Sequence, residues 1–182
     1  VLSQDFKNEL IRRGIKSDIH LTSTKVPDYF ISGFDLSMRQ EKAENIKYSG
    51  RIEKAKGVYE TVDTFSILKS QYKDLTLTFV GDGSELPMFK QYVENKKIKD
   101  VRFTGELRGE DFKKEYINAD MYLFLSYTEG MPTVVLEAMI FGLPIFTRKV
   151  GGLIDFFENG KMGYISSSFD PAVFAEAMKP YI

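Results

Sequence analysis

The stretch MYLFLSYTEGMPTVVLEAMIFGLPIFT, residues 121–147, has the pattern of a strand, a loop, a helix and a second strand. MYLFLS is a short apolar run that predicts a buried strand. TVVLEAMIF predicts a helix, because Pro132 suits the first helical position and Gly142 and Pro144 stop the helix. Strands that alternate with helices in this way are typical of a parallel sheet.

The same alternation extends over most of the chain from residue 45 onward. The predicted strands are Asn45–Ser49, Leu75–Val80, Val101–Thr104, Met121–Ser126, Pro144–Thr147 and Gly163–Ser166. The predicted helices are Gly57–Gln71, Glu85–Asn95, Glu110–Ile117, Thr133–Phe141, Leu153–Glu158 and Pro171–Lys179. Strands such as LTLTFV are apolar on both faces, as expected when helices cover the sheet on two sides. The pattern predicts an α/β fold with a doubly wound, Rossmann-like parallel sheet.

The first 44 residues follow a different pattern. They contain a helix-like segment, FKNELIRRG, a short predicted strand, IHLTST at residues 19–24, and then an irregular, turn-rich stretch. We interpret residues 1–30 as the end of a preceding domain with its linker, and residues 31–182 as a domain of their own.

Composition excludes several classes of function. The 182 residues carry a net charge of −1 with scattered Lys and Arg, so the chain lacks the basic surface that nucleic-acid binding needs. The absence of Cys excludes disulfides and thiolate metal sites. No run approaches the ~20 apolar residues of a membrane span, and the first residues lack the regions of a signal peptide. These features predict a soluble protein with one sizeable core.

Open α/β sheets bind ligands at the carboxyl ends of their strands, so the loops there are the candidate sites. In YSGRIEKAKG, residues 48–57, Arg51 and Lys56 lie between a strand end and a helix start. A guanidinium and an ammonium there favour an anion site, although ordinary surface charge remains an alternative.

Two further loops are rich in glycine. Gly81 and Gly83 in FVGDGSEL would let the backbone approach a ligand, but the third glycine of a dinucleotide fingerprint is missing and a plain turn remains open. Gly105 and Leu107 in FTGELRGEDF could hold a flat ring, and an ordinary loop is the alternative.

The loop before the predicted helix Thr133–Phe141 carries the most specific pattern. Glu129 lies at the carboxyl end of a strand, and Glu137 lies about one turn into the helix. The free N–H groups of Thr133 and Val134 would bind an anion between these carboxylates. Carboxylates beside an anion site are understandable if they accept hydrogen bonds from sugar hydroxyls. A surface glutamate is the alternative for Glu137, but its apolar neighbours favour burial near a ligand.

The order of these motifs resembles a known family. GRIEKAKG, FVGDG and FTGEL are followed by Glu129, seven intervening residues, Glu137-Ala138 and the VGG of Val150–Gly152. From about Ile19 to the end, the chain resembles the nucleotide-sugar-binding half of the retaining GT-B glycosyltransferases of family 4. The resemblance implies one half of a GT-B fold.

The resemblance also implies roles for individual residues. Arg51 and Lys56 would bind the diphosphate of the donor and neutralise charge on the leaving nucleotide, and Glu129 would lie beside the transferred sugar. Glu137 would hold the ribose hydroxyls. The remaining donor contacts would be Gly50, Gly81, Gly83, Gly105, Leu107, Gly130, Met131, Pro132, Thr133 and Val134. His20, the only histidine, would pack or lie on the surface.

The implied reaction transfers a hexose from a nucleoside-diphosphate sugar to a polysaccharide or glycolipid acceptor, with retention of configuration. It would need no cofactor and no metal, and it would use no protein nucleophile. The implied setting is lipopolysaccharide or capsule assembly in the cytoplasm, at the inner face of the membrane through the acceptor domain. Residues 1–30 would be a remnant of that acceptor domain, and further helix would follow the carboxyl end. We therefore expect weak donor binding by this chain without turnover.

Two alternatives remain at this stage. A GT-B nucleotide-sugar epimerase would need acid and base groups near the sugar, and only Glu129 is obviously placed for that. A non-catalytic flavodoxin-like binding module would make the charged residues of the loops incidental. The base, the sugar and the acceptor stay open.

Overall fold

A computed structural model describes residues 3–22, 26, 30–39 and 42–182 of the chain. Six strands form one parallel sheet with the order β3-β2-β1-β4-β5-β6. They are β1 (Asn45–Ser49), β2 (Thr76–Val80), β3 (Val101–Phe103), β4 (Met121–Phe124), β5 (Ile145–Arg148) and β6 (Gly163–Ser166). This strand order confirms the predicted doubly wound fold. Its direction reverses between β1 and β4, where open α/β sheets place their ligands.

In the described part of the chain, six α-helices connect or flank these strands. They are α1 (Gln4–Arg12), α2 (Val58–Gln71), α3 (Leu86–Asn95), α4 (Gly109–Ile117), α5 (Thr133–Ile140) and α6 (Pro171–Met178). Short 3₁₀ helices span Leu36–Met38, Lys54–Lys56, Gly151–Asp155 and Lys179–Tyr181. None of the helices in the described part of the chain has the length and apolarity needed to cross a bilayer.

The central strands are buried on both faces, which explains their apolar sequences. Every residue of β4 and β5 is buried, as expected for a parallel sheet between two layers of helices. Aromatic rings pack across the layers: the ring centroid of Phe79 on β2 lies 5.1 Å from that of Tyr48 on β1 and 4.9 Å from that of Phe89 on α3. This packing holds the carboxyl ends of the strands in fixed positions.

The segment before β1 is attached to the sheet domain by Arg39. Its guanidinium donates hydrogen bonds to the carbonyl oxygens of Tyr116 (2.9 Å) and Ile117 (3.0 Å) near the end of α4, and of Phe141 (2.9 Å) after α5. A further hydrogen bond goes to the carbonyl oxygen of Ala119. The positive charge at two helix carboxyl ends stabilises both helices and their mutual position.

Two sequence predictions are wrong, and the first is the short strand at residues 19–24. No strand forms at residues 19–22, and residues 23–24 lie outside the described part of the chain. A strand needs a neighbour for its backbone hydrogen bonds, and none of the six described strands pairs with this segment.

The predicted helix Leu153–Glu158 is instead the 3₁₀ helix Gly151–Asp155. The N–H of Gly152 donates to the carbonyl of Gly130 at 2.7 Å, so this contact holds the start of the segment against the β4–α5 loop. Gly151 has a φ of 51°, and its backbone lies too close to Gly130 for a side chain. A smaller correction concerns Pro132, which occupies the position just before the first turn of α5 rather than the first helical position.

Candidate functional site

A cleft runs along the carboxyl ends of β2, β1 and β4. It consists of three adjacent cavities of about 320, 370 and 200 Å³. The first two share Leu107 and Phe112, and the second and third share Gly50, Arg51 and Val134, so the three cavities adjoin one another along these strand ends. The cleft therefore lies where the strand order reverses, as the fold predicts.

An ion pair lies at one end of the cleft, between Lys56 and Glu129. Lys56 Nζ lies 2.7 Å from Glu129 Oε1, and the two side chains are only 17% and 13% exposed. The hydroxyl of Ser126 also donates to Glu129 Oε1 at 2.7 Å. Lys56 reaches this position because it ends a 3₁₀ helix and the chain then reverses at Gly57, whose φ is 67°.

Arg51 lies beside this pair and is far more exposed. Its guanidinium contacts Glu53 at 3.0 Å, and 68% of the Arg51 side chain is exposed. Exposed ion pairs contribute little free energy, so the guanidinium can leave Glu53 for a more strongly charged ligand. Arg51 lines two of the three cavities, which places a second cation on the cleft wall.

The amino-terminal end of α5 opens into the same cavity. No side chain caps this helix, and the first backbone bond runs from the N–H of Val135 to the carbonyl of Pro132 at 3.1 Å. The N–H groups of Thr133 and Val134 therefore have no acceptor within the helix. Thr133, Val134, Met131 and Pro132 all line the cavity that holds Lys56 and Glu129. Two cations and a helix amino terminus make this end of the cleft attractive to an anion.

Glu137 lines the 320 Å³ cavity at the other end of the cleft. Its Oε2 accepts a hydrogen bond of 2.8 Å from the hydroxyl of Tyr116 on α4. Burial raises the pKa of Glu137, while the hydrogen bond from Tyr116 and the charge of Lys47 oppose that rise. The structure thus separates the two predicted glutamates: Glu129 is ion-paired, and Glu137 sits in a low-dielectric pocket with a neutral donor.

The glycines predicted as contacts fall into two groups. Gly50 and Gly81 line the cleft, whereas Gly83, Gly105 and Gly130 are absent from the walls of the three cavities. Gly81 donates its N–H to the carbonyl of Gly105 at 2.8 Å, and a side chain at Gly83 would overlap the backbone of Ile52. These glycines shape the loops behind the cleft wall.

Sequence reasoning missed three polar residues near the predicted ones: two of them contact a predicted glutamate, and the third, Lys47, lies over the ring of Tyr116. Ser126 follows a buried strand and holds Glu129, Tyr116 lies on the buried face of α4 and holds Glu137, and Lys47 lies inside β1. Of these three residues, only Lys47 could have been noticed in the sequence, because a lysine in the middle of a predicted central strand is unusual.

Comparison with known proteins gives the family. Residues 36–182 match the family model of glycosyl transferases group 1. The chain is 29% identical over 133 residues to a glycogen synthase of Mycobacterium tuberculosis, covering 72% of this chain and 32% of that protein. It is 32% identical over 110 residues to the putative teichuronic acid biosynthesis glycosyltransferase TuaC of Bacillus subtilis, covering 60% and 26%. The chain thus spans about a third or less of the length of these relatives.

Solved structures share the fold. TarM of S. aureus matches with a TM-score of 0.82 at 17% identity, covering 100% of this chain and 36% of TarM. The lipopolysaccharide outer core galactosyltransferase WaaB matches with a TM-score of 0.81 at 23% identity, covering 99% and 51%. With the family model matched over residues 36–182, the chain belongs to the group 1 glycosyl transferases.

Proposed function

We propose that the cleft binds a nucleoside-diphosphate sugar, and that the whole protein transfers the sugar, a hexose, to a polysaccharide or glycolipid acceptor with retention of configuration. One observation carries this proposal: three adjoining cavities bring together two cations, a helix amino terminus without a side-chain cap and a half-buried carboxylate. These groups match, in order, a diphosphate and the hydroxyls of a ribose.

The diphosphate would lie at the amino terminus of α5. The N–H groups of Thr133 and Val134 have no acceptor within the helix and would donate to an anion there, and the helix dipole would add to their attraction. Lys56 and Arg51 on the same wall would contact the phosphate oxygens. Glu129 forms an ion pair with Lys56 and accepts a hydrogen bond from Ser126. Both interactions offset its negative charge and so reduce its repulsion of the phosphates.

Glu137 would accept hydrogen bonds from the ribose hydroxyls, because it lines the cavity next to the nucleoside side of the cleft. Its neighbours in that wall include Leu107 and Phe112, which give a base an apolar surface. Glu129, at the diphosphate end, would lie beside the transferred sugar. Its hydrogen bonds from Lys56 and Ser126 both fall on Oε1, so Oε2 is the oxygen that a sugar hydroxyl would meet.

In the proposed reaction the bond between the anomeric carbon and the diphosphate oxygen breaks, and its electron pair stays on the diphosphate. Lys56, Arg51 and the α5 amino terminus would neutralise the charge that develops there. The acceptor hydroxyl oxygen would bond to the anomeric carbon from the same face, and its proton would pass to the departing phosphate. This route uses no protein nucleophile and no metal.

Solved relatives suggest which donor to test first. TarM of S. aureus has been crystallised with UDP, and HepE of Anabaena has been crystallised with UDP-glucose. Both structures support a UDP sugar here. The names of TuaC and of the capsular polysaccharide glycosyltransferase CapM of Staphylococcus aureus support a cell-surface polysaccharide as product. We propose assembly at the inner face of the membrane, with the acceptor bound by a preceding domain of which residues 1–30 are the end. Family membership favours transfer over the epimerase and flavodoxin-like alternatives.

The test is a ligand-observed NMR titration with UDP, GDP, ADP and their sugar conjugates. We expect one nucleotide to bind best, and we expect Lys56→Ala and Glu137→Ala each to weaken that binding by about 10-fold. Lys161→Ala is the matched control, because Lys161 is an exposed lysine paired with Glu158 outside the cleft walls. No binding, or binding that ignores both cleft substitutions, would contradict the proposal.

A further inference from the structure

Lys47 is a lysine enclosed inside the central strand β1. Lys47 is only 1% exposed, and its Nζ has no hydrogen-bond partner among the described residues. The Nζ lies 3.6 Å from the ring centroid of Tyr116 and 4.8 Å from that of Phe112. Burying an ammonium group without a hydrogen-bond partner is unfavourable, so packing alone gives no reason for a lysine here.

The Tyr116 ring connects this ammonium to the candidate ribose site. Its face meets Lys47, and its hydroxyl donates to Glu137 Oε2 at 2.8 Å. The hydroxyl also lies 2.9 Å from Ser49 Oγ, which in turn lies 2.8 Å from the hydroxyl of Tyr122. Tyr116 is fully buried, so its ring and hydroxyl have little freedom to move.

We propose that Lys47 and Tyr116 are positioning residues that hold Glu137 as an oriented carboxylate for the ribose hydroxyls of the donor. This inference rests on the proposed function. Tyr116 fixes one carboxylate oxygen through its hydroxyl, which leaves the other oxygen for the ligand. Lys47 acts from behind the ring, where its charge favours the ionised form of Glu137 across a medium that screens little.

The charges around both groups are consistent with this role. Burial lowers the pKa of Lys47 to about 7, opposed by the negative charges of Glu115 and Glu137 and reinforced by the positive charge of Arg102. Glu137 also shares its cavity wall with Arg108, Glu110 and Lys113. Below about pH 7 Lys47 is charged, so it opposes protonation of Glu137 in the acidic range where the carboxylate would otherwise be lost.

A carboxyl ¹³C NMR titration of Glu137 tests the coupling without any ligand. The signal is assigned by its absence in Glu137→Gln, and its pH midpoint is compared among wild type, Lys47→Met and Tyr116→Phe. We expect the midpoint to rise by about one pH unit in each variant, because each loses a contribution that favours the carboxylate. Lys73→Met, an exposed lysine replaced in the same way, should leave the midpoint unchanged. An unchanged midpoint in both variants would overturn the proposal. If Lys47→Met fails to fold, Tyr116→Phe, which keeps the ring, still decides.

A second measurement tests the link to ribose. The ratio of affinities for UDP and 2′,3′-dideoxy-UDP at pH 6 measures how much the ribose hydroxyls contribute. We expect Lys47→Met and Tyr116→Phe to lower this ratio about 3- to 10-fold, while Lys73→Met retains it. A retained ratio in both variants would overturn the positioning role. Failure of wild type to bind any nucleotide would instead contradict the proposed function, and the ¹³C midpoints would still report on the coupling.

Discussion

Lys56 and Glu129 form an ion pair inside the cleft, with 2.7 Å between Nζ and Oε1. Lys56 lies just before α2, and Glu129 lies in the loop between β4 and α5, 73 residues further along the chain. The pair joins the two loops that meet where the strand order reverses. It also means that a diphosphate bound at the start of α5 would compete with Glu129 for the ammonium group.

This competition predicts opposite effects for the two partners. Lys56→Met should weaken UDP binding by about 10-fold or more, because a charge-assisted hydrogen bond to phosphate is lost. Glu129→Gln should leave UDP affinity unchanged or raise it several-fold, because it frees Lys56. Isothermal titration calorimetry measures both, and Lys56→Arg should restore most of the affinity. Equal losses in the Met and Gln variants would contradict this account of the pair.

Gly57 sets the position of Lys56, and its substitution should be severe. Its φ is 67°, and an added Cβ would overlap the carbonyl group of Leu125. Gly57→Ala should therefore lower the free energy of unfolding by about 2–4 kcal/mol. Gly160 is the matched control, with a φ of 82° but no atom within 4 Å of an added Cβ, so Gly160→Ala should lose only about 1 kcal/mol. Urea denaturation of both variants checks the difference, and equal losses would show that the contact with Leu125 is unimportant.

Arg39 should contribute strongly to stability, because its guanidinium donates hydrogen bonds to carbonyl oxygens at the carboxyl ends of two helices. Arg39→Met should lower the free energy of unfolding by about 2–4 kcal/mol, because the loss leaves partly buried carbonyls without a donor. Arg12→Met should change it by no more than about 0.5 kcal/mol, since the Arg12 side chain is 75% exposed. A similar, small effect of both substitutions in chemical denaturation would count against the capping role.

Lys47 should reduce the stability of the fold near neutral pH, although it helps to position Glu137. Its pKa of about 7 in the folded protein lies below the ordinary value of 10.5. Between these values the unfolded chain binds more protons, so wild-type stability should rise as the pH increases from 7 to 9. Lys47→Met should be more stable than wild type by about 1–4 kcal/mol at pH 7 and should show a flatter pH profile. Thermal denaturation across this range measures the difference, and a destabilised variant with the wild-type slope would refute it.

Local sequence patterns were enough to predict the fold. The short runs rich in β-branched and aromatic residues and the Gly and Pro residues around α5 specify their elements locally, and the alternation of strands and helices specifies a parallel sheet. The segment at residues 151–155 could not be predicted in this way, because its 3₁₀ form depends on the contact between Gly152 and Gly130. The segment at residues 19–22 failed for a related reason, since β propensity cannot supply a pairing strand.

The charged residues of the site could be predicted from the sequence, but the contacts between their side chains could not. The sequence placed Arg51, Lys56 and Glu129 in loops that follow strands and Glu137 in the next helix, and all four line the cleft. It could not show that Lys56 pairs with Glu129 or that Tyr116 holds Glu137, because these contacts join side chains far apart in the chain. The roles of these residues toward a ligand stay predictions.

The most direct test of the donor-site proposal is an amide ¹H–¹⁵N NMR titration of the chain with UDP. The account predicts that the resonances of Thr133 and Val134 shift most, with those of Gly50 and Gly81 following, because phosphate would meet the amino terminus of α5. No shifts on saturation with UDP, or shifts centred on Gly142, Gly160 and Gly163 at a separate cavity of about 510 Å³, would contradict it.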